Sequence, residues 1–226
     1  MSEVSREELA RNPIFAALSH DEQKAIAKLG RSHHYPKGAW ITHYGDEWPY
    51  LFWVKAGKVS ALKESHEGRS LIATTINAGE LFWGVAFFLD GAPMPVALVV
   101  EEASELVLWP SDVLQPYIIN NGNMAWKLAV EMITRMQQIS SVVDSLAFRA
   151  IPGRLANLLL DRYSGSGEQP VARDMTLDQM AAHIGTTREM VCRALYKFAD
   201  DGVININRTE FLISNEALLS EIAEKG

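Results

Sequence analysis

The sequence contains one cysteine, Cys192, and so excludes several kinds of site. A single cysteine can form no disulfide, no four-cysteine zinc site and no cysteine-ligated iron–sulfur cluster within the chain. The sequence also lacks a run of about 18 apolar residues, so no membrane span is expected. Its first twelve residues are charged and lack the apolar core of a signal peptide, and we therefore expect a cytoplasmic location.

An excess of positive charge is also missing, because the formal net charge of the 226 residues is −7. The protein as a whole is no polycation, so any nucleic-acid binding requires a local basic face. Such a face is present between residues 186 and 198, where Arg188, Arg193 and Lys197 outnumber Glu189. With 48% hydrophobic residues the chain can build real cores, and its length suits two small domains.

The sequence pattern changes from helical to β-prone near residue 31. Before it, apolar residues recur among charges in a helical pattern over residues 5–30, and Ser19 with Glu22 forms a predicted capping box. From residue 31 to 109, frequent glycines separate short β-prone runs. These runs predict strands at 50–54, 58–62, 71–76, 96–100 and 105–109. Many short strands with regular turns indicate a β-sandwich or a barrel-like roll.

Residues 111–147 predict a helix in two pieces, broken near Asn120–Gly122. In the second piece apolar residues alternate spacings of four and three, which is the pattern of a coiled-coil seam. The predicted dimer seam consists of Ala125, Ala129, Met132, Met136, Ile139, Val143 and Leu146. The alternative is a helix packed on its own domain, but the narrow seam and its polar flanks favour a dimer.

A helix-turn-helix is predicted between Thr176 and Phe198. Ala181 allows a close approach of the two helices, Gly185 tolerates the turn, and Val191 fills the space between them. The second helix presents charged side chains outward, as a helix in the DNA major groove does. Before this motif, Pro152 and Gly153 predict a hinge at 148–153 and residues 164–170 a surface loop. After it, 203–206 and 211–214 predict a small hairpin, the wing.

The chain resembles the Crp/Fnr superfamily of bacterial transcription regulators over nearly its whole length. The matching segments are 12–19, 35–41, 56–59, 78–82, 153–160 and above all 186–193, TTREMVCR. The resemblance implies an α+β fold with an N-terminal β-roll (a double-stranded β-helix like a cyclic-nucleotide-binding domain), a long dimerisation helix and a C-terminal winged helix-turn-helix. The expected domains are 1–110, 111–148 and 149–226.

The recognition helix resembles that of the catabolite activator branch, which implies palindromic operators with a G-rich, TGTGA-like core. Arginine matches guanine O6 and N7, so Arg188 and Arg193 are expected to read bases, and Glu189 can accept from a cytosine amino group. Thr186, Thr187 and Lys197 are expected to contact phosphates. Two alternatives stay open: Glu189 as the partner of Thr186 in a capping box, and Cys192 as a thiol sensor.

The resemblance also indicates which effector to exclude. Relatives that bind cyclic nucleotides clamp the phosphate with an arginine, and Met94 occupies that position here. Methionine cannot make paired charged hydrogen bonds to a phosphate. The residues found there instead are apolar and aromatic, and they either fill the core of the roll or line a pocket. The tryptophans near the expected junction of roll and helix favour a small, apolar or aromatic effector. The candidate effector-facing residues are Trp83, Met94, Trp126, Ile139 and Ser140.

The function expected from the resemblance is that of a homodimeric, effector-responsive regulator that binds double-stranded DNA and recruits or blocks RNA polymerase. One alternative is a haem-based gas sensor with His33, His34 or His43 as the iron ligand. Another is a cupin-type enzyme, but these histidines lack the spacing of a cupin metal set. We found no nucleophile–base signature and no metal site, so we do not expect an enzyme. A signalling module that does not bind DNA is disfavoured by Arg188, Glu189 and Arg193.

Overall fold

The computed structural model describes residues 4–65, 69–164, 169–207 and 209–225. These residues form two compact units, of which the first comprises Met1–Lys63 and Ala73–Ile139 and the second Glu64–Ile72 and Ser140–Gly226. The mixed helix and sheet content confirms the predicted α+β class. The predicted domain limits at 110 and 148 coincide with the end of a strand at Pro110 and of a helix at Phe148, and not with the limits of these units. The domain limits therefore stay predictions.

The first unit begins with helices α1 (Arg6–Leu9) and α2 (His20–Leu29). The predicted capping box is confirmed: the Ser19 hydroxyl accepts from the Glu22 amide, and the Glu22 carboxylate accepts from the Ser19 amide at 2.8 Å. The fully buried Trp109 ties the helix to the sheet, because its indole Nε1 donates to the Ile26 carbonyl at 2.9 Å. One hydrophobic core therefore joins the N-terminal helices to the end of the last long strand.

The roll is a sheet in the order β1-β6-β3-β4, with β2 paired to β6 and β5 to β3. Its strands are β1 (Arg31–Tyr35), β2 (Trp40–Thr42), β3 (Tyr50–Glu64), β4 (Ser70–Asn77), β5 (Leu81–Trp83) and β6 (Ala97–Pro110). The four runs predicted at 50–54, 58–62, 96–100 and 105–109 are not separate strands. They merge pairwise into β3 and β6, which pair antiparallel from Tyr50 with Pro110 to Leu62 with Ala97.

An irregular register at Gly57 explains why each long strand looks like two in the sequence. Gly57 has φ +87°, and a Cβ there would lie 2.3 Å from the Ser104 Oγ and 2.5 Å from the Ala103 carbonyl oxygen. Only glycine fits this close approach at a positive φ. The bulge bends the strands without breaking their pairing. The strands β1, β2 and β5 were not among the predicted runs.

Two helices follow the roll, α3 (Ser111–Asn120) and α4 (Gly122–Phe148), and the break predicted near Asn120–Gly122 is confirmed. Met124, Leu128 and Arg135 are the buried residues of α4. Its opposite face carries apolar side chains that are about half or more exposed. These are Trp126, Val130, Ile133, Met136, Ile139 and Val143, with exposures between 47% and 73%.

The second unit contains α5 (Ile151–Tyr163), α6 (Leu177–Ile184), α7 (Arg188–Asp200), α8 (Glu216–Lys225) and the sheet β7-β9-β8. The predicted wing is confirmed as β8 (Ile204–Ile206) and β9 (Glu210–Ile213), although Arg208 in its turn lies outside the described residues. Residues 165–168 of the predicted surface loop also lie outside them. Strand β7 (Val171–Ala172) and α8 were not predicted.

The predicted hinge needs a correction. Pro152 and Gly153 do not interrupt a helix, because both lie in the first turn of α5. Proline is tolerated there, since the first amides of a helix have no intrahelical partner. The interruption falls instead at Arg149 and Ala150, where Ala150 is an extended N-cap with ψ 159°.

Candidate functional site

The helix-turn-helix is built from α6 and α7 as the sequence predicted. Thr176 caps α6 with a capping box in which the Thr176 amide donates to the Gln179 side chain at 2.8 Å. Gly185 then adopts the left-handed conformation with φ 62° and ψ 48°. Ala181 and Val191 are 5% and 0% exposed. The three residues thus have the packing and turn roles that the motif assigns to them.

Packing around the turn gives Gly185 a second reason to be glycine. A Cβ at this position would lie 2.7 Å from Leu146 Cδ2 and 3.1 Å from Leu71 Cδ1. All three residues belong to the second unit. The backbone of the turn is therefore held against side chains from the end of α4 and the start of β4, which fixes where α7 begins.

The first two turns of the recognition helix α7 present the predicted reading side chains to solvent. The side chains of Arg188, Glu189 and Arg193 are 66%, 70% and 69% exposed. The Arg193 guanidinium donates to the Glu189 carboxylate one helical turn away. Arg188 donates instead to Asp178 on α6, at 3.3 Å. Lys197 is exposed further along the same helix.

The two threonines before α7 have different roles. Thr187 is the N-cap, and its hydroxyl accepts from the Met190 amide at 3.4 Å. Thr186 is 9% exposed, so of the two threonines predicted to contact phosphates only Thr187 presents its side chain to solvent. The alternative of a Thr186–Glu189 capping box is wrong, because the cap falls one residue later and Glu189 pairs with Arg193.

Hydrogen bonds from α5 to Asp174 hold the segment that precedes α6. The Tyr163 hydroxyl donates to Asp174 Oδ1 at 2.7 Å, and the Arg162 guanidinium binds the other carboxylate oxygen. Burial and the hydrogen bond to Asp174 raise the pKa of Tyr163 to about 12. Burial alone would raise the pKa of Asp174, but the bonds from Arg162 and Tyr163 leave it below the ordinary value. These bonds therefore fix the backbone just before α6, the first helix of the helix-turn-helix, relative to α5.

The predicted effector residues do not come together. Met94 is 2% exposed and packs in the core of the roll, while its backbone bonds to Gly45 and Asp46. Trp83 packs against the other core of the same unit. Trp126 is 73% exposed, and Ile139 and Ser140 lie exposed further along α4. The five residues are thus divided between two cores and one helix face.

Sequence reasoning missed Arg135, the most buried charged side chain of α4. It is 4% exposed and donates to Glu80 Oε2 at 3.0 Å, to the Thr75 carbonyl at 3.3 Å and to Gln138 Oε1 at 3.2 Å. Its Nε lies 3.2 Å from Glu131. The signal was its position seven residues after buried Leu128, on the inward face of the helix.

A cleft of about 470 Å³ lies beside this arginine, between α4 and the N-terminal segment of the same unit. Its wall combines apolar side chains with the polar groups around Arg135. The lining includes Pro13, Ile14, Leu81, Trp126, Val130, Glu80, Glu131 and Gln138. Of the predicted effector residues, Trp126 is the one that lines it.

Two family models match separate parts of the chain. The Crp-like helix-turn-helix domain matches residues 153–222, and the cyclic nucleotide-binding domain matches residues 32–121. The chain belongs to the Crp/Fnr superfamily of transcription regulators. This family is one of regulators rather than enzymes, which removes the cupin alternative.

Two curated relatives of this Crp/Fnr protein match it over more than nine-tenths of its length. The Cyclic AMP receptor protein of Thermus thermophilus is 28% identical over 94% of this chain and 97% of its own. A CRP-like cAMP-activated global transcriptional regulator of Mycobacterium tuberculosis is 26% identical over 95% and 98%. A solved putative regulator of the crp/fnr family from Eubacterium rectale has TM-score 0.80 and 21% identity, covering 94% and 98%. The last likeness shows the fold.

Within the described part of this Crp/Fnr chain, we found no group of three or more histidine, cysteine, aspartate or glutamate residues that could hold a metal ion. His33 and His34 lie exposed on β1, and exposed His43 stacks on Trp40 at 4.9 Å. No helix among the described residues is long and apolar enough to cross a membrane.

Proposed function

We propose that this regulator is a cytoplasmic homodimer that binds palindromic operators in double-stranded DNA and recruits or blocks RNA polymerase there. The observation that carries the proposal is the exposed set of Arg188, Glu189 and Arg193 at the start of a well-formed recognition helix. The first residues of such a helix face base edges in the major groove. Thr187 and Lys197 flank the set as phosphate contacts.

The dimer part of the proposal rests on the exposed apolar face of α4. Water contact with such a face is unfavourable, and a second copy of the helix would remove it. Ala129, Met136, Ile139 and Val143 of the predicted seam are exposed, whereas Met132 packs on its own core and Leu146 lies against Gly185. We therefore place Ile133 rather than Met132 in the seam and leave Leu146 out of it.

The operator can be obtained by selection from a random pool of duplexes. We expect a two-fold symmetric site whose half-sites carry a G-rich, TGTGA-like core, because arginine side chains pair best with guanine. Half-sites on one face of the duplex should be about one helical turn, or a multiple of it, apart. A selected motif without symmetry, or without G·C pairs in the half-sites, would contradict the proposal.

The effector part of the proposal is a small apolar or aromatic molecule other than a cyclic nucleotide. Met94 supports the exclusion of a cyclic nucleotide, because its side chain is buried in the roll and offers no charge to a phosphate. We propose the cleft lined by Trp126 as the effector-facing surface on α4, in place of the wider predicted set. Its lining carries two acidic side chains, Glu80 and Glu131, and two basic ones, Lys127 and Arg135, so the cleft has no excess of positive charge to attract an anion.

Calorimetry with cyclic AMP or cyclic GMP at millimolar concentration is expected to give no binding heat, because the phosphate-clamping arginine is missing. The Thermus relative, which is named for cyclic AMP, is the positive control under the same conditions. A micromolar dissociation constant for either nucleotide would overturn the effector proposal while leaving the DNA-binding proposal untouched.

A further inference from the structure

The contact between Asp178 and Arg188 joins the two helices of the helix-turn-helix. Asp178 is the second residue of α6, Arg188 is the first residue of α7, and Arg188 Nη1 lies 3.3 Å from Asp178 Oδ2. Both side chains are about two-thirds exposed. The ion pair therefore stands on the surface that faces DNA when α7 enters the major groove.

The backbone on both sides of this pair is fixed. The capping box at Thr176 holds the start of α6, and the left-handed Gly185 and the Thr187 cap hold the start of α7. The neighbouring carboxylate, Asp174, is occupied by Arg162 and Tyr163. Asp178 is thus the acid left to meet Arg188 at the rim of a cleft of about 430 Å³ formed by residues 173–178.

We propose that Asp178 is a positioning and specificity-determining residue for DNA recognition, acting through Arg188. Guanidinium has five N–H donors, and a guanine edge uses two of them. Asp178 takes one hydrogen of Nη1 and leaves donors for the base. An arginine already held loses less side-chain freedom on binding, which favours the base that its fixed orientation fits.

The charge of Asp178 has a second consequence. Sequence-independent binding comes from the attraction of basic groups to phosphates, and a carboxylate beside Arg188 weakens it. Asp178 therefore raises discrimination in two ways: it orients the reading side chain and it lowers affinity for DNA in general. Arg193 is held differently, by Glu189 of its own helix, so the effect of Asp178 is confined to the base pair that Arg188 reads.

This inference rests on the proposed function, and the test uses the full-length chain with three duplexes. They are the selected operator, the operator with the base pair read by Arg188 replaced in both half-sites, and an unrelated sequence. For Asp178→Ala we expect the ratio of the first two affinities to fall about fivefold per half-site, the upper end for an exposed ion pair. Affinity for the unrelated duplex should rise, and Asp178→Asn should be intermediate because it keeps an acceptor.

Two further variants separate positioning from charge. Asp200→Ala removes the same charge from the exposed far end of α7 and should raise all three affinities without changing the ratio. In an Arg188→Ala background, Asp178→Ala should no longer change the ratio. The inference is overturned if Asp178→Ala shifts operator and replaced operator equally, or lowers the ratio without Arg188. If the unchanged protein itself shows no discrimination, the proposed function fails instead.

Discussion

Glutamates in place of Ile133 and Met136 are expected to turn the proposed dimer into a monomer that no longer binds its operator tightly. The two side chains are 51% and 59% exposed on α4 and face the proposed seam. A carboxylate in each would have to be buried against its symmetry mate, where unpaired like charges are strongly unfavourable. Losing the second half-site should weaken operator binding about 100-fold to 10,000-fold, the range that linked binding contributes.

Sedimentation and operator titration measure the two parts of this prediction. Ile119→Glu is the matched control, because Ile119 is 77% exposed on α3 and lies outside the proposed seam. Met132→Glu distinguishes a seam through Met132 from one through Ile133. Because Met132 packs on the core of its own unit, this variant should lower the thermal unfolding midpoint and leave the dimer mass unchanged. A double variant that keeps the mass of a dimer would exclude this face as the interface.

The choice between these registers shows what spacing alone can decide. Met132 and Ile133 are both apolar neighbours, so a four-and-three pattern can pass through either one. The structure distinguishes the two residues, because Met132 packs on the core of the first unit and Ile133 is exposed on another side of α4. The side of α4 that packs on the core also holds Arg135, whose partner Glu80 is 55 residues away in the chain. A pattern of apolar residues gives no sign of such a distant ion pair.

The helix-turn-helix was predicted closely because its signals are local. Gly185 needs a left-handed turn, and Ala181 and Val191 lie within six residues of it. The long strands were predicted in pieces because Gly57 and the polar residues near 101–105 look like turns. In the sheet they form a bulge that keeps both strands paired. The predicted effector residues lie in different cores for a related reason: aromatic and sulfur-containing residues suit a pocket wall and a core equally well.

Replacing Arg188 with alanine is expected to have the largest effect on sequence recognition. Each bidentate contact between arginine and guanine discriminates by about 1–3 kcal/mol, and the two half-sites of a dimer count it twice. The variant should therefore lose about 2–6 kcal/mol of binding free energy on a palindromic operator, whereas its affinity for unrelated DNA should change little. Arg188 is two-thirds exposed and packs on no core, so the variant should fold as the parent does.

The pattern of the loss distinguishes reading from simple attraction. Lys197→Ala is the matched control, because a phosphate contact weakens binding to all sequences by a similar factor and reduces the salt dependence by about one counterion per site. Arg188→Lys keeps the charge but loses the planar fork, so it should behave like alanine in selectivity and like the parent in salt dependence. Competition titrations with single-base variants of the operator measure both quantities. If Arg188→Ala weakens every duplex equally, the side chain binds phosphate, and the base contact must be assigned to Arg193 instead.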